Sequence, residues 1–269
     1  MNATWLTVDF DDERHVPSFS GHPTRSKHTS EEINDMRLRE NLSDRFQHGL
    51  KSFEQWMSTH DHPVTLFIIA DLFESEDFNL WLRGIIENYN NRITVGCHGL
   101  SHKSWSAWPE DKIAFSHALI TATALLEKHA GDNFRRWFRA PGGYIAPWMV
   151  ETLSKNSYVL DSSINPSWVV QRKAGKGNTW KDIEGELERF NIISRPWKTY
   201  LTLPINGPAL TLFPLSLIAH CGWRKTPPPL LTADFESTLL SKSAEITTVY
   251  WHILDHARKN GAWKPPLAI

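Results

Sequence analysis

The stretch WFRAPGGYIAPWMVETLSKNSYVLDSS, Trp137–Ser163, decides how the rest of the chain is read. Trp137–Gly143 is a short apolar-rich run that stops at Pro141-Gly142-Gly143, the punctuation of a strand ending in a turn. Ala146–Ser157 has the pattern of a helix, and Tyr158–Ser163 that of the next strand. Strand, helix and strand in so short a span form a βα unit, whose strands run parallel because the helix carries the chain back.

Working outward, the same alternation recurs. Upstream lie strand-like runs at Thr4–Phe10, Val64–Ala70 and Ile93–Gly99. Between them are helical patterns at 44–59, at Phe78–Tyr89, and from Pro109 to about His129. Ser43 is placed to cap the first of these. Downstream the pattern becomes ragged. Residues 164–200 hold Trp168, Trp180 and Trp197 among Lys, Gly and Asn, and read as a long functional loop. Leu201–Ile205 and Leu210–His220 are strand-like, Phe235–Glu245 helical, and Thr247–His252 a final strand leading into a helix at 253–259. No internal repeat interrupts the series. The expectation is an α/β fold: a single distorted (β/α) barrel over residues 1–269, with about seven parallel strands and loop insertions near 13–40 and 164–200.

Length and charge agree. The 269 residues exceed the usual single-domain prior of about 150, but α/β barrels run to roughly 250 as one domain. With 29 Lys+Arg against 30 Asp+Glu the formal net charge is −1, which argues against a nucleic-acid footprint or a basic membrane-surface helix. The longest apolar run, near Val64–Ala70, is too short for a membrane span, and no signal peptide is visible. Two cysteines, Cys97 and Cys221, cannot make a disulfide framework or a Cys-rich zinc site. The expectation is a cytoplasmic protein with reduced thiols. The 13 Trp are unusual, and point either to a large core or to aromatic binding surfaces.

In a barrel of parallel strands the strand C-termini converge on one face, and chemistry gathers there. Those ends read, in order, Asp9-Phe10-Asp11-Asp12, then His98 to His102, Arg139-Ala-Pro-Gly-Gly143, Asp161-Ser-Ser163, and His252. Singly each has an ordinary structural explanation; an HxxxH pair is common among 13 His, and Asp9–Asp12 could simply cap a helix. Together they make chemical sense as a metal hydrolase. His98 and His102 can point two imidazoles at one ion, a carboxylate supplies a third ligand, and a position stays open for water. Asp9 and Asp11, two apart on a strand, share a face, so one could bind metal while the other takes a proton.

These residues carry a family resemblance. LTVDFDDE (Leu6–Glu13), GCHGLSH (Gly96–His102), FRAPGGY (Phe138–Tyr144), LDSS (Leu160–Ser163) and VYWH (Val249–His252) resemble the successive motifs of the polysaccharide deacetylase superfamily, also called NodB-homology or carbohydrate esterase family 4. The likeness is greatest to its cytoplasmic, allantoinase-like branch. It implies Asp9 as catalytic base and Asp11 as metal ligand; in members with adjacent aspartates the pair would be Asp11 and Asp12. It implies His98 and His102 as the other ligands of a zinc-like ion. Arg139 would orient the base, the Gly142 N–H hold the oxyanion, Asp161 orient the acid histidine, and His252 act as general acid. His220 is the rival acid. Gly99 stands where the family usually has Ser or Thr, so a hydrogen bond shaping that loop is missing or comes from Ser101.

The implied activity is metal-dependent hydrolysis of an N-acyl group, such as acetyl, on an amino sugar or sugar-containing precursor, as in surface-polysaccharide or lipopolysaccharide synthesis. A cyclic amide or ureide hydrolase and a catalytically silent sugar-binding protein are the alternatives. Trp105, Trp108, Trp148, Trp168 and Trp197 fall near the expected active-site side, and indole faces stack on sugar rings. Trp105, Trp148, Trp168 and Tyr144 are therefore the expected substrate contacts, with no nucleic-acid partner.

Overall fold

The computed structural model describes residues 2–267 apart from 17, 20 and 27–39. Seven strands form one curled, all-parallel sheet. They are β1 (Asn2–Phe10), β2 (Val64–Ile68), β3 (Ile93–Cys97), β4 (Phe134–Phe138), β5 (Leu160–Asp161), β6 (Ile193–Ser194) and, late in the chain, β9 (Glu245–His252). The order is β6-β5-β4-β3-β2-β1-β9. A parallel bridge between Trp197 and Thr248 spans the gap between the β6 and β9 edges, and curls the sheet into a distorted barrel. The helices α1 (Asp44–Met57), α2 (Glu76–Tyr89), α3 (Lys112–Ala130), α4 (Pro147–Lys155) and α5 (Trp180–Arg189) supply the crossovers.

Local chemistry sets the boundaries. The Ser43 hydroxyl accepts the Phe46 N–H and caps α1 as expected. In α3 the cap is Asp111, which accepts the Ala114 N–H, so the helix begins past Pro109 rather than on it. The outer layer of the sheet packs Phe10, Phe46, Phe53, Phe78 and Trp81 against one another. The inner face is different. Trp5, Phe67 and Trp137 meet edge-on at 5.7–5.8 Å and plug the barrel, with Trp5 Nε1 donating to Thr65 Oγ1. Above that plug, on the same strand faces, stand Thr7, Asp9 and Arg139. The period-2 alternation of β1 carries the chain from an aromatic floor to a charged layer in four residues.

The structure corrects several expectations after β5. The supposed loop 164–200 contains a 3-10 segment (Trp168–Ala174), α5 and β6. Thr179 begins α5 with a full capping box, its hydroxyl accepting the Asp182 N–H. Leu201–Ile205 contributes to a two-residue antiparallel ribbon, β7 (Thr199–Tyr200) with β8 (Leu203–Pro204), rather than a barrel strand. Leu210–His220 is not a strand: it becomes a 3-10 turn and helix α6 (Leu215–Trp223), because Pro214 stops extension and sits ahead of the first helical turn. The helix expected at 235–245 is shortened to α7 (Phe235–Leu240), and 253–259 forms two 3-10 turns instead of a helix. Of the insertion near 13–40, the described part opens with a 3-10 turn at Glu13–His15, while 27–39 lies outside the described residues.

Candidate metal centre and active-site cavity

The sheet register builds the site. Asp9, near the end of β1, lies beside Phe67 of β2 on one flank and His252 of β9 on the other. Two residues further, Asp11 leaves the strand on the same face. His98 follows β3, its N–H donating to Ile68 O, and Arg139 follows β4, its N–H donating to Cys97 O. The parallel ladder thus continues one step past each strand and holds the functional residue by its backbone.

Asp11, His98 and His102 are buried together, each offering one ligand atom within 4.8 Å of the others. His98 Nε2 is 3.5 Å from Asp11 Oδ1, and His102 Nε2 is 3.6 Å from Asp11 Oδ2. His98 Nδ1 is 2.7 Å from the Arg139 carbonyl, so that nitrogen donates and the Nε2 lone pair is left facing Asp11. Asp11 Oδ1 and His98 Nε2 are buried without a hydrogen-bond partner. Burial lifts the Asp11 carboxyl above its ordinary range and drives His102 well below the usual histidine value. A buried carboxyl group facing two buried imidazoles, with Asp11 Oδ1 and His98 Nε2 unpartnered, is the donor set a divalent ion takes up, and these three residues fit one.

Asp12 is occupied elsewhere. Its Oδ1 accepts the Glu13 N–H and the Ser43 hydroxyl, and its Oδ2 accepts the Ser43 N–H, tying the end of β1 to the start of α1. Arg139 is wholly buried and makes four hydrogen bonds. Its Nη1 donates to Asp9 Oδ1 at 2.6 Å and to Thr7 Oγ1, while Nε and Nη2 hold the Ser162 carbonyl and hydroxyl. Its guanidinium lies 4.1 Å from the centre of the Phe67 ring, on the aromatic floor.

His252 and Asp161 part company. Both Asp161 oxygens are taken by Ser163, through its N–H and hydroxyl, and burial raises this carboxyl to about 6. The carboxylate facing His252 is Asp255. Its Oδ2 lies 3.8 Å from His252 Nδ1 and accepts the His252 N–H. Burial opposes charging of His252, but Asp255 and Asp11 overcome it and raise the imidazole to about 9. Sequence reasoning missed Asp255; its signal was the i, i+3 spacing in His252-Ile-Leu-Asp255, which one 3-10 turn folds back on itself. His220 sits on α6 and does not line the cavity, whereas His252 does.

The cavity, of about 310 Å³, is lined by Asp9, Asp11, His102, Gly142, Tyr144 and His252, with Tyr250 and several basic residues around them. Gly142 has φ +57° and a Cβ there would meet the Tyr144 ring at 3.3 Å, so this turn takes glycine without strain. Gly99, at φ +87°, is likewise suited to a residue with no side chain; its N–H lies 3.4 Å from Cys97 Sγ and its carbonyl accepts the Ala70 N–H. That backbone pairing shapes the loop in place of the expected hydroxyl, and Ser101 is exposed.

Tyr144 is where the sequence placed it, but the tryptophans are not. Among the described residues no tryptophan lines the cavity. Trp105 is buried and Trp148 half-buried, both edge-on to Phe115, and Trp168 points outward at 71% exposure. Trp197 is buried, its Nε1 donating to Ser162 O and its ring 4.4 Å from Tyr250. The surplus of indoles is mostly core, because the barrel's inner plug and outer layer both need large apolar volume.

Residues 44–160 match the family model described as polysaccharide deacetylase. Over that span, less than half of its length, the chain is similar to the polysaccharide deacetylase family. It is a hydrolase acting on amide or ester bonds. The matched span holds His98, His102, Arg139 and Gly142, and the sheet brings Asp9, Asp11 and His252 to them. A probable polysaccharide deacetylase from Pseudomonas aeruginosa PAO1 superposes with a TM-score of 0.57 at 10% identity, covering 96% of this chain and 80% of that one. The PuuE allantoinase gives 0.54 at 10% identity, again over 96% of this chain and 80% of its own. At such identities the likeness shows a shared fold. No curated protein matches the chain in sequence. Among the described residues no helix is long and apolar enough to cross a membrane.

Proposed function

We propose that this protein is a divalent-metal amide hydrolase that removes an N-acyl group, such as acetyl, from an amino sugar or sugar-containing precursor. The observation that carries the reading is the convergence of Asp9, Asp11, His102 and His252 on one cavity, with His98 buried beside Asp11 and Arg139 wholly buried behind Asp9.

Asp11, His98 and His102 would hold the ion. A zinc-like ion there supplies Lewis acidity toward the acyl carbonyl and toward water. The residues do the rest. Asp9 takes the proton of the attacking water as its oxygen bonds to the acyl carbon. Arg139 holds Asp9 in place through Oδ1, leaving Oδ2 on the side of His98. The Gly142 N–H is a candidate donor to the developing oxyanion. His252, kept protonated by Asp255, gives its proton to the departing nitrogen as the C–N bond breaks, leaving a carboxylic acid and a free amine.

The cavity's aromatic rings are Tyr144 and Tyr250, with no indole platform, and this favours a second reading: a compact cyclic amide or ureide as substrate. Zinc-loaded protein should be assayed for acetate release from N-acetylated sugars and, in parallel, for ureide cleavage. Acetate release that disappears in Asp9→Asn supports the first reading. Ureide cleavage alone transfers the assignment to the second, and a metal-bound protein active on neither class sinks both.

A further inference from the structure

The charge around the cavity does not balance, although the chain as a whole is near neutral. Four long cationic side chains line it: Arg25, Arg45, Lys173 and Arg258. Its carboxylates are already matched. Asp9 is held by Arg139, Asp255 by Arg258 at 2.9 Å, and Asp11 faces the two ligand histidines. Arg45 shares Glu13 at 3.6 Å. Arg25 and Lys173 remain, and neither has a carboxylate partner among the described residues.

Lys173 is the more telling of the two. Its ammonium is half-buried, and its hydrogen-bond acceptor is a neutral one, the Gly142 carbonyl at 2.6 Å. It lies 5.2 Å from the centre of the Tyr144 ring. Its backbone is held too, since Ser106 Oγ donates to the Lys173 carbonyl. Burial, with Arg25 and Arg172 close by, pushes the amine down to about 8. Placing a desolvated ammonium beside like charges is unfavourable unless an anion offsets it. The position also matters: the lysine is bonded to Gly142, so whatever it holds lies next to the acyl-binding turn.

We infer that the substrate carries an anionic group, a carboxylate or a phosphate, which Lys173 and Arg25 hold at the mouth of the cavity beside Gly142. The inference rests on reading this cavity as the site of amide hydrolysis, and it deepens that reading by naming the substrate's charge. The two cations offer the charge-assisted donors that such oxygens take, and their field would concentrate an anionic amide at the opening.

The test compares three probes on zinc-loaded, full-length protein: N-acetylglucosamine, its 6-phosphate, and the carboxylate-bearing N-acetylmuramic acid. Affinity is read by calorimetry in the Asp9→Asn background, and acetate release is measured separately in the wild type. At least one anionic probe should bind about tenfold or more tightly than the neutral sugar. That preference should fall about tenfold in Arg25→Ser and in Lys173→Gln, and shrink between about 0.1 M and about 1 M salt, where the Debye length drops from about 10 to about 3 Å. Arg25 is exposed, so its variant should fold even if Lys173→Gln disturbs the Gly142 turn. Which anion wins separates phosphate from carboxylate. Equal binding of all three, no binding of either anion, or a preference that survives both substitutions overturns the inference. Acetate released equally from neutral and anionic sugars overturns it while sparing the hydrolase reading. Anion-selective binding with no acetate released does the reverse.

Discussion

Arg139 Nη1 donates to Asp9 Oδ1 at 2.6 Å, joining the ends of β4 and β1 where both side chains are buried. Removing one partner of such a pair leaves the other charge desolvated and uncompensated, at a cost of about 3–5 kcal/mol. Arg139→Met should therefore lower the unfolding free energy from urea titration by that amount, shifting the midpoint down, as well as abolish turnover. Arg139→Lys should recover little, because a single ammonium cannot reach Thr7, Asp9 and both Ser162 acceptors. A midpoint equal to the wild type's would contradict this account of the pair.

Proton transfer and metal binding should separate by mutation. Asp9→Asn removes the base but leaves Asp11, His98 and His102 intact, so kcat should fall by about 10²–10⁴-fold with zinc content unchanged by elemental analysis. His98→Ala should instead purify with sub-stoichiometric metal, and a chelator should inactivate the wild type reversibly. Full zinc in His98→Ala, or its loss in Asp9→Asn, would reverse the two roles.

Asp255 acts through His252, and its effect should depend on the leaving group. In Asp255→Asn the imidazole loses the carboxylate that favours its protonated form, so hydrolysis of an alkyl amide should slow by about 10²-fold. An activated anilide or aryl ester, whose leaving group needs less protonation, should be spared most of that loss. A purely structural role would slow both substrates equally. Asp161→Asn should show no such leaving-group dependence, since Asp161 is bonded to Ser163.

His256 should make the fold acid-sensitive. It is buried among Phe53, Trp56, Trp251 and Trp263, accepts the Trp251 indole N–H at Nε2, and is pushed by burial down to about 3. Its folded value lies below the 6.5 of the free side chain, so the unfolded chain takes up the proton first. The associated stability is present above about pH 6.5 and is lost as pH falls toward 3, at up to about 1.4 kcal/mol per pH unit. His256→Gln keeps an acceptor for Trp251 and removes the titration. Urea unfolding between those pH values should give a shallower pH slope for the variant, and parallel slopes would refute the assignment.

Much of this was written in the linear sequence. Period-2 and helical patterning announced the βα alternation through β5, because each element there buries one regular face. The motifs Asp9-x-Asp11 and His98-x-x-x-His102 were legible for the same reason: one strand or one loop presents both partners. Between β5 and β9 the signal failed. The strands shrink to two residues, and Leu210–His220 is apolar enough to resemble a strand until Pro214 and the packing of Trp223 Nε1 on Ile205 O make it a helix.

Tertiary structure alone decided what depends on distant residues meeting. Asp11 rather than Asp12 faces the histidines because Ser43, remote in sequence, claims Asp12. Asp255 rather than Asp161 faces His252 because a 3-10 turn closes over β9 while Ser163 satisfies Asp161. The tryptophans count for the core because the curl of the sheet leaves an interior that only large rings fill. Composition specified which side chains were available; the pairing of buried charges, whose energies depend on every neighbour within a few ångströms, was settled only when the sheet closed around them.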